Sequence, residues 1–176
     1  RMATSNSAEP TTFASGEAST FLKRRGHEVV GVGLLAFAFT LAVILATYEP
    51  MDPSLNTAGP GEIRNVLGYP GALVSDVLLQ SLGLGNLAIL SILTAWGLRF
   101  LSHRRVVGLG MRVAMLPLSM LLLASALVAV PVPDWWPLRS GLGGFAGELL
   151  VGHMLATGLI SSEQEVFLFP LLGITA

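Results

Sequence analysis

Residues 29–48 read VVGVGLLAFAFTLAVILATY, twenty positions without a charged side chain. At a rise of 1.5 Å per residue, a helix of that length spans about 30 Å, the hydrocarbon thickness of a bilayer. Lys23, Arg24 and Arg25 stand just ahead of it. A basic cluster before an apolar run also begins a secretory signal. This run is too long for a signal's apolar core, and its outer end has no small-x-small cleavage pattern. The reading is an uncleaved membrane helix over 28–47.

Composition points the same way. The 176 residues are 52% hydrophobic and 12% charged, with a mean hydropathy of +0.70. Soluble domains carry roughly 25% charged residues, so the polar shell of a soluble enzyme cannot be built from this chain. Cysteine is absent, which removes disulfides, thiolate metal sites and cysteine nucleophiles. The one lysine, Lys23, is followed by Arg24, whereas a phosphate-binding P-loop needs Gly-Lys-Ser/Thr.

Working outward, residues 1–22 are rich in Ser, Thr and Ala without a helical stripe and read as a disordered cytoplasmic tail. After the first span, YEPMDPSLNTAGP (48–60) holds three prolines and a glycine, which no helix continues through. An outer loop is expected over 48–69. Residues 70–81 place Leu73, Val77 and Leu78 on one face and Asp76 with Gln80 on another, as in a short interfacial or folded-back helix. The second span is expected over 84–101, a basic cytoplasmic loop over 102–112, and the third span over 113–130. Pro131, Pro133 and Pro137 stop it, with Trp135 and Trp136 between them as interface markers. An outer segment over 131–165 is glycine-rich and carries Glu148, and 166–176 reads as the first part of a fourth span. The fold class expected is all-α, a polytopic membrane protein of four spans with short interfacial helices in its outer segments.

Lys and Arg counts orient it. With the N-terminus in the cytoplasm, the inner segments hold Arg1, Lys23, Arg24, Arg25, Arg99, Arg104, Arg105 and Arg112, and the outer ones hold Arg64 and Arg139. The positive-inside rule favours that arrangement. It also puts His27 and His103 inside and His153 outside, so the three histidines share no metal site.

A shift of 72 residues lays Gly71 on Gly143, Leu73 on Phe145 and Asp76 on Glu148, a candidate parallel repeat. Asp76 and Glu148 are ionisable groups at or near membrane depth, either an ion or proton path or polar faces at an interface. Gly143 and Gly147 form a Gly-x-x-x-Gly that permits close helix contact, within the chain or between copies. Arg104, Arg105 and Arg112 make a basic inner patch suited to anionic lipid. No nucleophile and base pair emerges, and no catalytic, cofactor or metal residue is assigned.

The loop Tyr48-Glu49-Pro50-Met51-Asp52-Pro53-Ser54-Leu55-Asn56-Thr57 resembles the Tyr-x-Pro-x-Asp-Pro-Ser-x-Asn loop of the four-helix N-terminal membrane domain of FtsK/SpoIIIE-type bacterial DNA translocases. Asn65, Gly68, Gly71, Ala72, Asp76, Gly83 and Gly97-Leu98-Arg99 resemble the stretch after that loop in the family, and Gly143-Gly144 with Gly147 the domain's second glycine-led segment. The likeness covers about residues 23–176. Leu55 stands where the family often has an aromatic, and Leu90 where it often has a proline.

The resemblance implies a bacterial inner-membrane protein at the division septum. Such a domain anchors the translocase, helps it self-associate, usually as a hexamer, and meets other division proteins. Tyr48, Asp52 and Asn56 are the residues of the outer loop expected to face such partners. The ATP- and Mg-dependent motor that moves DNA would lie downstream of this chain, and the family's nucleotide and DNA residues carry over to no position here. A small channel or transporter using Asp76 and Glu148 is the alternative.

Overall fold

A computed structural model describes residues 11–55, 57, 62–104 and 108–159. Five α-helices order them: α1 (Thr11–Ala46), α2 (Gly68–Leu82), α3 (Leu87–Leu101), α4 (Leu109–Val128) and α5 (Gly144–Ala156). A 3₁₀ turn, Gly83–Asn86, joins α2 to α3. The described residues hold no strand. Three helical stretches are long and apolar enough to cross a bilayer: Arg24–Ala46, Gly68–Leu101 and Leu109–Val128. The all-α membrane architecture read from the sequence is therefore the one observed. The expected fourth span, 166–176, lies outside the described residues.

Several boundaries differ from expectation. α1 begins at Thr11, inside the segment read as a disordered tail. No proline follows Pro10 before Ala46. A turn that extends a helix already nucleated by an apolar span adds a hydrogen bond per residue without a new nucleation step. α2 starts two residues early, where Gly68 adopts φ +65°, and ends at Gly83, whose φ is +54°. Those left-handed values suit glycine. The outer segment read as 131–165 contains α5, whose 13 residues reach only about 20 Å.

α1 and α3 run antiparallel in close contact. A Cβ on Gly31 would stand 2.9 Å from the Gly97 carbonyl oxygen, and one on Gly97 would stand 2.7 Å from Leu35. The paired glycines thus let two backbones approach as larger side chains could not. Ala38, Leu41 and Leu93 are buried there, with Leu34, Leu45 and Leu90 against them. Many other large apolar side chains point outward, Phe39 at 72% exposure and Leu122 at 56%. In water such a surface would drive aggregation, whereas lipid tails solvate it.

α2 corrects the amphipathic reading. Its inward face is Gly71, Ala72, Ser75, Asp76 and Leu79, while Val74 and Val77 point out. Small and polar residues pack inside and apolar ones outside, the inverse of a soluble helix, because close backbone approach and hydrogen bonds hold helices together where lipid removes much of the hydrophobic drive.

Candidate functional site

The C-terminal end of α1 carries the most organised polar chemistry in the described residues. The last turn of a helix leaves carbonyls without partners. Asn65, only 3% exposed, answers this. Its Nδ2 donates to the carbonyls of Ile44 (3.0 Å) and Thr47 (3.2 Å), and its Oδ1 accepts from the Leu67 N–H (3.1 Å). Gly71 is the reason it fits, since a Cβ there would collide with the Asn65 side chain.

Asp52 in turn holds Asn65. One carboxylate oxygen accepts the Arg64 N–H and the other the Asn65 N–H, each at 2.8 Å. A carboxylate accepting two backbone N–H groups is a strong, charge-assisted staple. It ties the start of the loop to its end, with Glu49 and Arg64 adding an exposed ion pair at 3.3 Å.

Tyr48 bridges the loop to α2. Its hydroxyl donates to Asp76 Oδ1 (3.1 Å), the oxygen that also accepts from Gln80 Nε2 (2.6 Å). Burial, then the neighbouring Asp76 carboxylate, pushes the Tyr48 phenol up to about 12. Both act by disfavouring the phenolate.

A second centre, built from glycine, lies where the 3₁₀ turn, α4 and the start of α5 converge. The Leu84 N–H donates to the Leu142 carbonyl (2.8 Å). Gly83 faces Leu142 and Gly144, and Gly144, at φ +64°, faces Leu82 and Gly83. Gly85, Gly143 and Gly147 all press on Ala124 of α4, which has no exposure. A Cβ on Gly147 would sit 2.7 Å from the Ala124 carbonyl oxygen. Asn86, 1% exposed, closes the turn by donating to the carbonyls of Leu78 (2.7 Å) and Gly83 (2.9 Å). Between these centres, a cavity of about 500 Å³ opens under Trp135 and Trp136 against Leu45 and Leu90. A cleft of about 460 Å³ lies beside it, lined by Tyr48, Gln80, Arg139 and Phe145.

The residues read as functional are thus distributed unevenly. Tyr48, bonded to Asp76, and Asp52, bonded to the Arg64 and Asn65 N–H groups, belong to two neighbouring hydrogen-bonded groups, and Asn56 lies outside the described residues. Asp52 was expected to face partners, but its 4% exposure withdraws it from the surface, and its charge is used in holding the loop. Gly143 and Gly147 pack within the chain, on α4. Asp76 is 4% exposed and holds two donors, whereas Glu148 is exposed, so the two acids have unlike surroundings. Near the start of the first span, Glu28 joins Arg25 (2.6 Å) and His103 (3.4 Å), and the His27 ring meets Phe100 at a tilt. His153 lies on α5, beside Leu121 and Leu150. No group of three His, Asp or Glu side chains that could hold a metal occurs among the described residues.

Sequence reasoning passed over the roles of Asn65, Ser75, Asn86 and Ala124. An asparagine just before a glycine-led helix start signals a local turn, but its reach to Ile44, 21 residues back, leaves no local trace.

Relatives locate this arrangement. The chain is 36% identical over 130 residues to the DNA translocase FtsK of Bradyrhizobium diazoefficiens, covering 74% of this chain and 16% of that protein. It is 37% identical over 156 residues to that of Mesorhizobium japonicum, 84% of this chain and 17% of the relative. It is 36% identical over 147 residues to that of Caulobacter vibrioides, 77% and 16%. The chain therefore spans about a sixth of these relatives' length. No solved structure matches it significantly. Residues 23–175 match the family described as the 4TM region of DNA translocase FtsK/SpoIIIE, and with spans, glycine crossings and outer loop all inside that stretch, the chain belongs to this family of membrane domains.

Proposed function

We propose that this chain is the anchor and assembly module of a septum-localised DNA translocase acting in cell division and chromosome segregation. The family match over 23–175 carries the reading, and it supports a membrane-anchoring module in the bacterial inner membrane. The helices hold a downstream motor at the membrane, where ATP and Mg would drive DNA movement. The described ends of the outer loop, joined by Asp52 and Asn65, offer other division proteins a surface. Tyr48 sits at the edge of that surface, on the 460 Å³ cleft with Arg139. Self-association, as a hexamer, uses the outward apolar faces. The N-terminus is cytoplasmic by the Lys and Arg count.

The unlike settings of Asp76 and Glu148 favour an anchor over a channel built on the pair. The test is imaging. A fluorescently tagged chain in dividing bacteria depleted of their own translocase is expected to concentrate at the septum. A uniform membrane signal contradicts the septal reading, and a diffuse cytoplasmic signal contradicts the anchor itself.

A further inference from the structure

Asn86 holds the one buried side-chain polar atom without a hydrogen-bond partner among the described residues, its Oδ1. The residue is 1% exposed, and its Nδ2 is fixed on the carbonyls of Leu78 and Gly83. Exchanging the two ends of the amide would set an oxygen against those carbonyls, so the acceptor stays where it is. Asn86 is also part of the wall of the cavity of about 500 Å³ under Trp135 and Trp136. We propose that this cavity binds one uncharged lipid alcohol, its hydroxyl donating to Asn86 Oδ1 and its hydrocarbon chain running past Leu90 and Ala42. The inference rests on the reading that α1 and the stretch 68–101 cross a bilayer.

The lining selects that class of ligand. A buried acceptor left without a donor is costly and rare, so the occupant must bring a donor. No Asp, Glu, Lys, Arg or His lines the cavity, and an unpaired charge is expensive to bury, so the donor is neutral. A hydroxyl is the smallest such group on a lipid. The neighbouring donors are already spent: the Tyr48 hydroxyl on Asp76 and the Trp136 N–H on the Gly141 carbonyl at 2.9 Å. The order fits as well. Tyr48, Trp135 and Trp136 are amphipathic residues suited to a membrane boundary, and Asn86 stands at the start of α3 beside them. Ala42 and Leu90 lie one helical turn from Ala46 and Asn86, about 5 Å further into their spans. A lipid alcohol is built in the same sequence, donor at the boundary and chain inward. The cavity also has an open side, because Ala46, Leu87 and Trp135 of its lining are exposed, Trp135 at 74%.

The test uses the full chain carrying Trp96→Phe, which leaves Trp135 and Trp136 as the only tryptophans. It is placed in phosphatidylcholine nanodiscs, whose lipid has no O–H or N–H donor. A chain-brominated long-chain alcohol and its methyl ether are titrated in turn at matched bilayer concentrations, and bromine quenches tryptophan at contact. The alcohol is expected to give saturable quenching at about a tenfold lower concentration than the ether, the effect of satisfying one buried acceptor. Ala42→Phe, which fills the cavity without touching the amide, should abolish the saturable part for both probes. Equal affinity of alcohol and ether overturns the proposal, because Oδ1 then selects nothing. Saturable quenching that survives Ala42→Phe also overturns it, by placing the ligand elsewhere. Quenching that rises only in proportion to probe concentration shows lipid contact without a site, and overturns the proposal while leaving the membrane reading intact. A folded Asn86→Ala chain that keeps the tenfold preference overturns the assignment to Oδ1.

Discussion

The C-terminal ends of α1 and α4 are held by opposite chemistries. At α1, Asp52 with Asn65 and Tyr48 with Asp76 form two neighbouring sets of hydrogen bonds between 2.8 and 3.2 Å. At α4, Gly85, Gly143 and Gly147 close around Ala124 by removing side chains, and Gly83 meets Leu142 and Gly144 beside them. The first holds by satisfying buried polar groups, which is costly to undo where water is scarce. The second holds by dispersion between backbones that only glycine lets meet. In lipid, where apolar burial between helices contributes little, the chain uses both available substitutes and keeps them apart.

Breaking each region alone sharpens the contrast. The largest effect is expected from Gly83→Ala. Its φ of +54° disfavours any Cβ, and that Cβ would strike the Leu142 carbonyl and the Gly144 N–H. Left-handed strain and backbone overpacking together destabilise by about 4 kcal/mol, read as the thermal unfolding midpoint in detergent. Asp52→Ala comes next, at about 3 kcal/mol, because it strands two N–H groups. Its loss should appear as protease sensitivity within 48–67 before any global unfolding.

Tyr48→Phe removes one hydrogen bond, about 1 kcal/mol. Because the phenol's folded value of about 12 lies above the usual value near 10, its contribution is complete below about pH 10 and disappears as pH rises through about 12. Tyrosinate absorbance in the wild type minus that in Tyr48→Phe should rise near pH 12. A rise near 10 would show that the Asp76 contact is absent in solution. Gly152→Ala is the smallest effect and has the opposite sign. This glycine lies on the same helix as Gly147, yet a Cβ there meets nothing within 4 Å and its φ is ordinary. Added helix propensity should stabilise the chain by about 0.5 kcal/mol. If Gly147→Ala is equally harmless, α5 does not press on Ala124 as described.

How far the sequence could be read depends on the same division. Charge-free runs and Pro/Gly punctuation are local signals, and they placed the end of α1 and the limits of α2, α3 and α4 to within a few residues, while the start of α1, at Thr11, was missed. The inward face of α2 was illegible, because the familiar rule turns apolar residues inward and here Asp76 turns in while Val77 turns out. The glycine pairing of Gly31 with Gly97 joins residues 66 positions apart and has no periodic signature. The 72-residue register superposes buried Asp76 on exposed Glu148. Left-handed glycines stand at the starts of α2 and α5, Gly68 and Gly144, and just beyond their ends, Gly83 and Gly158. In the outer loop the motif was visible, but Asp52 proved to be its fastener rather than its surface.

Hydrogen exchange on the chain in nanodiscs tests most directly whether two separate locks hold these outer segments. Asp52→Ala is expected to speed exchange in 48–67 and the first turns of α2 while α5 stays protected. Gly83→Ala is expected to speed exchange in 83–86 and α5 while the loop stays protected. If either variant loosens both regions equally, the two ends form one cooperative unit, and the division into a hydrogen-bonded lock and a glycine lock is contradicted.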